Sequence, residues 1–91
     1  MPLITVPVRR VDNATPRTRH IHLGIADNAF PFVAGQAVMV GLHGSPLRKP
    51  YSIASAPWEV AKTGVLQLLT QVDDPVLSFF DVDKPDISVM H

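Results

Sequence analysis

The fold that this sequence predicts is all-β: a small six-stranded antiparallel Greek-key barrel, with the last strand incomplete and at most one short helix. Three observations predict it: short runs rich in β-branched residues, turn residues at fairly regular intervals between them, and no helical pattern longer than a turn or two. At 91 residues the chain forms one domain with a single core, and a domain of this size buries a smaller share of its surface than a large one. An apolar share of 46% and zero net formal charge fit a folded globular domain and speak against a disordered or nucleic-acid-binding chain. The absence of Cys excludes disulfides, thiolate metal sites and cysteine nucleophiles, and permits a reducing compartment. The opening "MPLITVPVRR" has neither a basic leader nor a long apolar run. No signal peptide or membrane partner is therefore expected, and the expected location is cytoplasmic.

The first strand is expected over "LITVPVRRV", with Pro7 confining that part to an edge or a bulge, before "NATP" breaks it. "RTRHIHLGI" alternates, placing Ile21, Leu23 and Ile25 on one face and His20 and His22 on the other, as in a half-buried strand. In the irregular "ADNAFPFVAGQ", Phe30 and Phe32 can plug a core end and Gly35 permits a sharp turn. "AVMVGLHG" is nearly all apolar, as expected of a strand buried on both faces, and Gly44, Ser45 and Pro46 end it.

"LRKPYSIASAP" is read as the fourth strand and "APWEVAKTG" as a loop or single helical turn. "VLQLLTQVD" is read as the fifth strand, with Val65, Leu68 and Leu69 available to the core. "DPVLSFFDVDKPD" has room for one helical turn near Ser78, and "ISVMH" reads as a sixth strand cut short. A cut-short strand would leave an open barrel edge through which a homodimer could form.

Charge is unevenly placed. Through Pro50, Arg9, Arg10, Arg17, Arg19, Arg48 and Lys49 face only Asp12 and Asp27, a balance of +4 that the remainder mirrors at −4. Differently charged barrel ends explain this asymmetry, and an anion site in the first half is the sharper alternative.

In this strand order, "TPRTRHIHLGIADNAFPFVAGQAVMVGL", "RKPYSIASAPWE" and "LQLLTQVDD" together resemble the flavin-binding (FR-type) barrel of the ferredoxin-NADP reductase superfamily, over most of the chain. That family carries RxYS, then a small-residue segment ending in Ser, preceded by Gly-Gln at the head of the third strand. Tyr51, Ser52, Ser55, Gly35 and Gln36 stand in those places. The resemblance implies that residues 1–91 are a flavin-binding barrel domain, with FAD as cofactor and FMN less favoured. The domain would belong to an oxidoreductase passing electrons between NAD(P)H and an acceptor.

In the resemblance Tyr51 lies against the flavin, where stacking contributes about 0.5–1.5 kcal/mol beyond area burial. Ser52 hydrogen-bonds the reactive ring edge, tuning a cofactor that carries the redox chemistry itself. Arg48, Lys49, Pro50, Ser55 and Ser78 complete the implied cofactor site. Strict alternation would nevertheless send Tyr51 and Ser52 to opposite faces.

Two departures weaken the implied site. The family's arginine stands two residues before the tyrosine, where this chain has Lys49, with Arg48 one position earlier. A lysine is a point charge, while arginine grips phosphate bidentately, so weakened diphosphate binding is expected. After the fifth strand, Asp74 or Pro75 replaces the family's phosphate-turn glycine, leaving a carboxylate that repels phosphate or a residue without an N–H. No glycine-rich nicotinamide turn follows. NAD(P)H would then act through a separate reductase domain or electron-transfer protein, and a non-catalytic barrel remnant or protein-interaction module is the alternative function.

Other groups have plainer explanations. His20 and His22 could begin a metal site, but no third ligand is identifiable and a polar solvent face explains them. Asp73, Asp74, Asp81, Asp83 and Asp86 lack calcium-loop spacing and read as a solvated rim. Ser52 and Ser55 lack a GxSxG setting. Trp58 reads as a loop residue covering the barrel end, Phe79 and Phe80 as core, and Tyr51 without its flanking pattern as core packing.

Overall fold

A computed structural model describes residues 3–74, 76 and 86–91. It contains six strands in one antiparallel sheet: β1 (Leu3–Thr15), β2 (Thr18–Gly24), β3 (Ala37–Leu42), β4 (Lys49–Ser52), β5 (Val65–Gln71) and β6 (Asp86–Met90). A seven-residue helix, α1 (Pro57–Thr63), precedes β5. The spatial order β4-β3-β6-β1-β2-β5 inserts the last strand between β3 and β1, giving Greek-key connections.

β1 turns the corner of the fold because it changes partners along its length. Residues 3–7 pair with β6, whereas residues 8–15 pair with β2. Pro7, which has no N–H to donate, sits at this changeover, and the register slips between Val8 and Arg10 immediately after it. Of the two outcomes expected near Pro7, an edge or a bulge, the strand shows a bulge, displaced to Arg9, while Pro7 stays opposite Asp86. The strand runs on past the expected break at "NATP", and the turn falls at Pro16 and Arg17. There Thr15 Oγ1 accepts hydrogen bonds from the backbone N–H of Arg17 (3.2 Å) and Thr18 (3.1 Å).

Pairing with β2 fixes the phase of β5. Leu68 lies opposite Ile21 and Leu66 opposite Leu23, and residues directly opposite one another share a face. Those four are fully buried, whereas Leu69 is 46% exposed and Val65 is half-buried. The expectation that Val65 and Leu69 join the core is thus corrected: Leu66 takes the place beside Leu68. β3 is also less enclosed than expected, because Met39 is only half-buried.

Val6, Val40, Ile87 and Val89 complete the centre of the core, each such side chain contributing about 1.5–3 kcal/mol by leaving water. Phe30 closes one end as expected, its ring stacked on His91 at 4.0 Å. Trp58 does not cover the barrel, being 69% exposed on α1. The helix holds by other means: Glu59 accepts the Ala56 N–H (2.9 Å), and Gly64, at φ 71°, donates its own N–H to the Val60 carbonyl (2.8 Å).

The sixth strand is not an edge. β6 pairs with β1 on one side and β3 on the other, so the outer strands are β4 and β5. These curl toward each other and, among the described residues, meet at one bridge, from Ile53 just past β4 to Leu68. The Ala54 N–H donates to the Gln67 carbonyl (2.8 Å), and the Gln67 N–H donates to Ser55 Oγ (3.0 Å). A serine hydroxyl there substitutes for a ladder carbonyl. The sheet is strongly curved without being closed by a continuous ladder. Among the described residues no helix is long and apolar enough to cross a membrane.

Candidate functional site at the barrel seam

Strand alternation divides β4 into two faces. Lys49 and Tyr51 share one side, while Pro50 and Ser52 lie exposed on the other. Tyr51 faces inward and is 5% exposed. Pairing of Val38 with Tyr51 and Val40 with Lys49 sets this phase, so Lys49 is the cation on the tyrosine's side, as the spacing predicts.

Asp74, just beyond β5, reaches across the seam to that side. Its Oδ1 accepts the Tyr51 hydroxyl (2.7 Å) and the Val76 N–H (2.9 Å), and its Oδ2 accepts from Lys49 Nζ (2.8 Å). The carboxylate side chain is 2% exposed and the lysine 49%. A buried carboxylate needs such pairing, because an isolated charge taken out of water costs several kcal/mol. The Lys49 ammonium also lies 5.6 Å from the Tyr51 ring centroid, within cation–π range. This clamp joins β4 to the end of β5 where the backbone ladder does not. The expectation that Asp74 belongs to a solvated rim is corrected; Asp73 beside it is exposed.

Burial holds the Tyr51 phenol well above the usual tyrosine range, with the hydrogen bond to Asp74 and that group's negative charge adding to it. The phenol is neutral when protonated, so its raised pKa adds stability that is complete below the usual tyrosine pKa and is lost as pH rises toward the folded value. Tyr51 is the chain's one tyrosine, so phenolate absorbance reports on it alone. In an alkaline titration that absorbance is expected to rise only in step with loss of the β-sheet signal in circular dichroism. Ionisation at the ordinary tyrosine pH with the sheet intact would mean that the phenol is not enclosed.

The other residues drawn together by the resemblance occupy the same corner. Gly35, at φ 81°, turns the chain so that the Gln36 carbonyl accepts the Ile53 N–H (2.9 Å), while Gln36 Oε1 accepts from the Val33 N–H (3.2 Å). Ser55 is buried and committed to Gln67. Arg48 packs over Gly41, where an added Cβ would collide with the Leu47 carbonyl oxygen. Arg48 Nε is buried without a hydrogen-bond partner among the described residues. Ser78, Phe79 and Phe80 lie outside the described residues, as does the helical turn expected near them.

A flavin fits this arrangement in part. Lys49, Pro50 and Ser52 are accessible along β4, but the Tyr51 ring is enclosed and Asp74 places a carboxylate on the cation suited to a phosphate. Tyr51 and Ser52 point to opposite faces and do not converge on one ligand surface.

Sequence reasoning missed Asp74 as a partner of Tyr51. The available signal was an acidic residue before a proline at a strand end, which marks a turn without naming a partner 23 positions away. His22 is likewise not on an open solvent face: it is 9% exposed and its Nε2 lies 3.0 Å from Asp12 Oδ2. No group of three His, Cys, Asp or Glu suited to a metal occurs among the described residues. Neither the protein-family models nor the curated proteins compared with this chain give a match.

Proposed function

We propose that this barrel is the flavin-binding part of an electron-transfer oxidoreductase, taking FAD in preference to FMN. NAD(P)H and the electron acceptor would be served by a separate domain or protein. The observation that carries the reading is the gathering of Gly35, Gln36, Lys49, Tyr51, Ser52 and Ser55 at one corner of the sheet, from segments well separated in sequence. The flavin supplies the redox chemistry when bound. The chain's part is to hold a flavin that meets the outer strand β4 edgewise: Lys49, on the tyrosine's side, offers charge to a phosphate in competition with Asp74, and Ser52, on the other side, offers a hydroxyl.

Titration with FAD, read by quenching of flavin fluorescence, tests this. Saturable binding is expected, with Lys49→Ala weakening it about tenfold through loss of a charged contact and Ser52→Ala weakening it less. A chain that takes up no FAD overturns the reading.

The second reading is a non-catalytic barrel in which Tyr51 and Lys49 serve the fold. The specific observation in its favour is the 2.7 Å bond from the enclosed phenol to Asp74, which uses the tyrosine's polar end inside the protein. An absence of FAD uptake together with a strong stability loss on breaking that bond is its expected signature.

A further inference from the structure

We propose that the outer face of β1, β2 and β5 carries a second site, which binds the phosphate group of a small phosphorylated molecule. A cleft of about 410 Å³ opens there, lined by Arg9, Arg10, His22, Thr63, Val65 and Gln67. Its size falls within the range typical of small-molecule pockets.

The β1 irregularity builds it. Val8 lies opposite Leu23 and Arg10 opposite His22, so β1 spends one extra residue there. Both Arg9 and Arg10 are exposed and both line the cleft, which uninterrupted alternation would not allow. Arg10, His22 and Gln67 then form a row across three strands, each directly opposite the next. Gly24 leaves the floor open: an added Cβ there would lie 2.5 Å from Arg9 Nε, so the guanidinium stem rests where other residues carry a side chain.

Asp12 fixes two members of the row. Its Oδ2 lies 2.8 Å from Arg10 Nε and 3.0 Å from His22 Nε2. The Thr63 hydroxyl is already spent, donating to the Glu59 carbonyl and accepting the Val65 N–H, so Thr63 and Val65 form a wall and not a donor pair. The polar offer is the terminal nitrogens of Arg10, whose Nε is held by Asp12, with the Gln67 carboxamide and an oriented imidazole, and the Arg9 guanidinium lies beside them in the lining. Among the described residues no carboxylate lines the cleft itself, and Asp12 meets Arg10 and His22 from beside it. Guanidiniums match phosphate geometry with paired N–H donors, and Val65 gives apolar surface to the group carrying the phosphate. The site lies at the Val65 end of β5, whereas Asp74 lies beyond the Gln71 end, so it stands independently of the flavin reading.

The test is amide-resolved NMR titration of the intact chain with inorganic phosphate, ribose 5-phosphate and ribose. Ribose 5-phosphate is expected to shift residues 9–10, 22–24 and 65–67 saturably, and ribose is not. Arg10→Gln is expected to weaken ribose 5-phosphate binding about tenfold, as loss of one charge-assisted contact, with Arg10→Lys in between and Arg17→Gln unchanged. Equal affinity for inorganic phosphate and ribose 5-phosphate supports the site and assigns it to the free anion. Shifts elsewhere only, or equal affinity of wild type and Arg10→Gln, overturn it.

Discussion

Replacing Asp74 with alanine is expected to lower folding stability by about 2–3 kcal/mol, most of it from the buried Tyr51 hydroxyl left without its acceptor. Lys49 contributes less to the loss, because its half-exposed ammonium can turn to water. The Val76 N–H loses its acceptor as well. In a small domain whose total stability is about 5–15 kcal/mol, this is a large fraction. Urea denaturation of wild type, Asp74→Ala, Tyr51→Phe and the double variant measures it. The double variant is expected to lose less than the two single losses added, because a phenylalanine ring no longer requires the carboxylate. Should Asp74→Ala match wild type within about 0.5 kcal/mol, the clamp does not hold the seam.

Leu68→Ala is expected to cost more, about 2–5 kcal/mol, since the side chain is fully buried and its loss leaves a cavity as well as lost transfer energy. Leu68 also supports the one bridge between β4 and β5, opposite Ile53. Its neighbour provides the contrast. Leu69→Ala, at 46% exposure, is expected to change stability by no more than about 0.5 kcal/mol. Thermal and urea unfolding of the pair therefore read the phase of β5 directly. A larger loss at Leu69 than at Leu68 would mean that the strand presents its other face to the core.

The site was legible in outline and not in its partners. The position of Lys49 on the tyrosine's side follows from strand alternation alone, as does the separation of Tyr51 from Ser52. The commitment of Ser55 to Gln67 and of Tyr51 to Asp74 does not follow, because each depends on how far β4 and β5 curl toward one another. The "LL" doublet in β5 shows the same limit: two adjacent leucines fit either phase, and only the register with Ile21 and Leu23 selects Leu66 and Leu68. In the same way, His20 and His22 alternate correctly, but the reach of Asp12 to His22 arises from β1 lying alongside.

The class of fold and the approximate strand segments were legible along the chain, as was a disturbance of pairing near Pro7, whether edge or bulge. All of these depend on local chemistry: side-chain period, missing N–H groups and residues that favour turns. Packing of the whole chain places β6 inside the sheet, buries Asp74 and brings Arg9 and Arg10 to one cleft with Gln67. These depend on contacts between segments far apart in sequence, and local preference carries no record of which segment will arrive alongside.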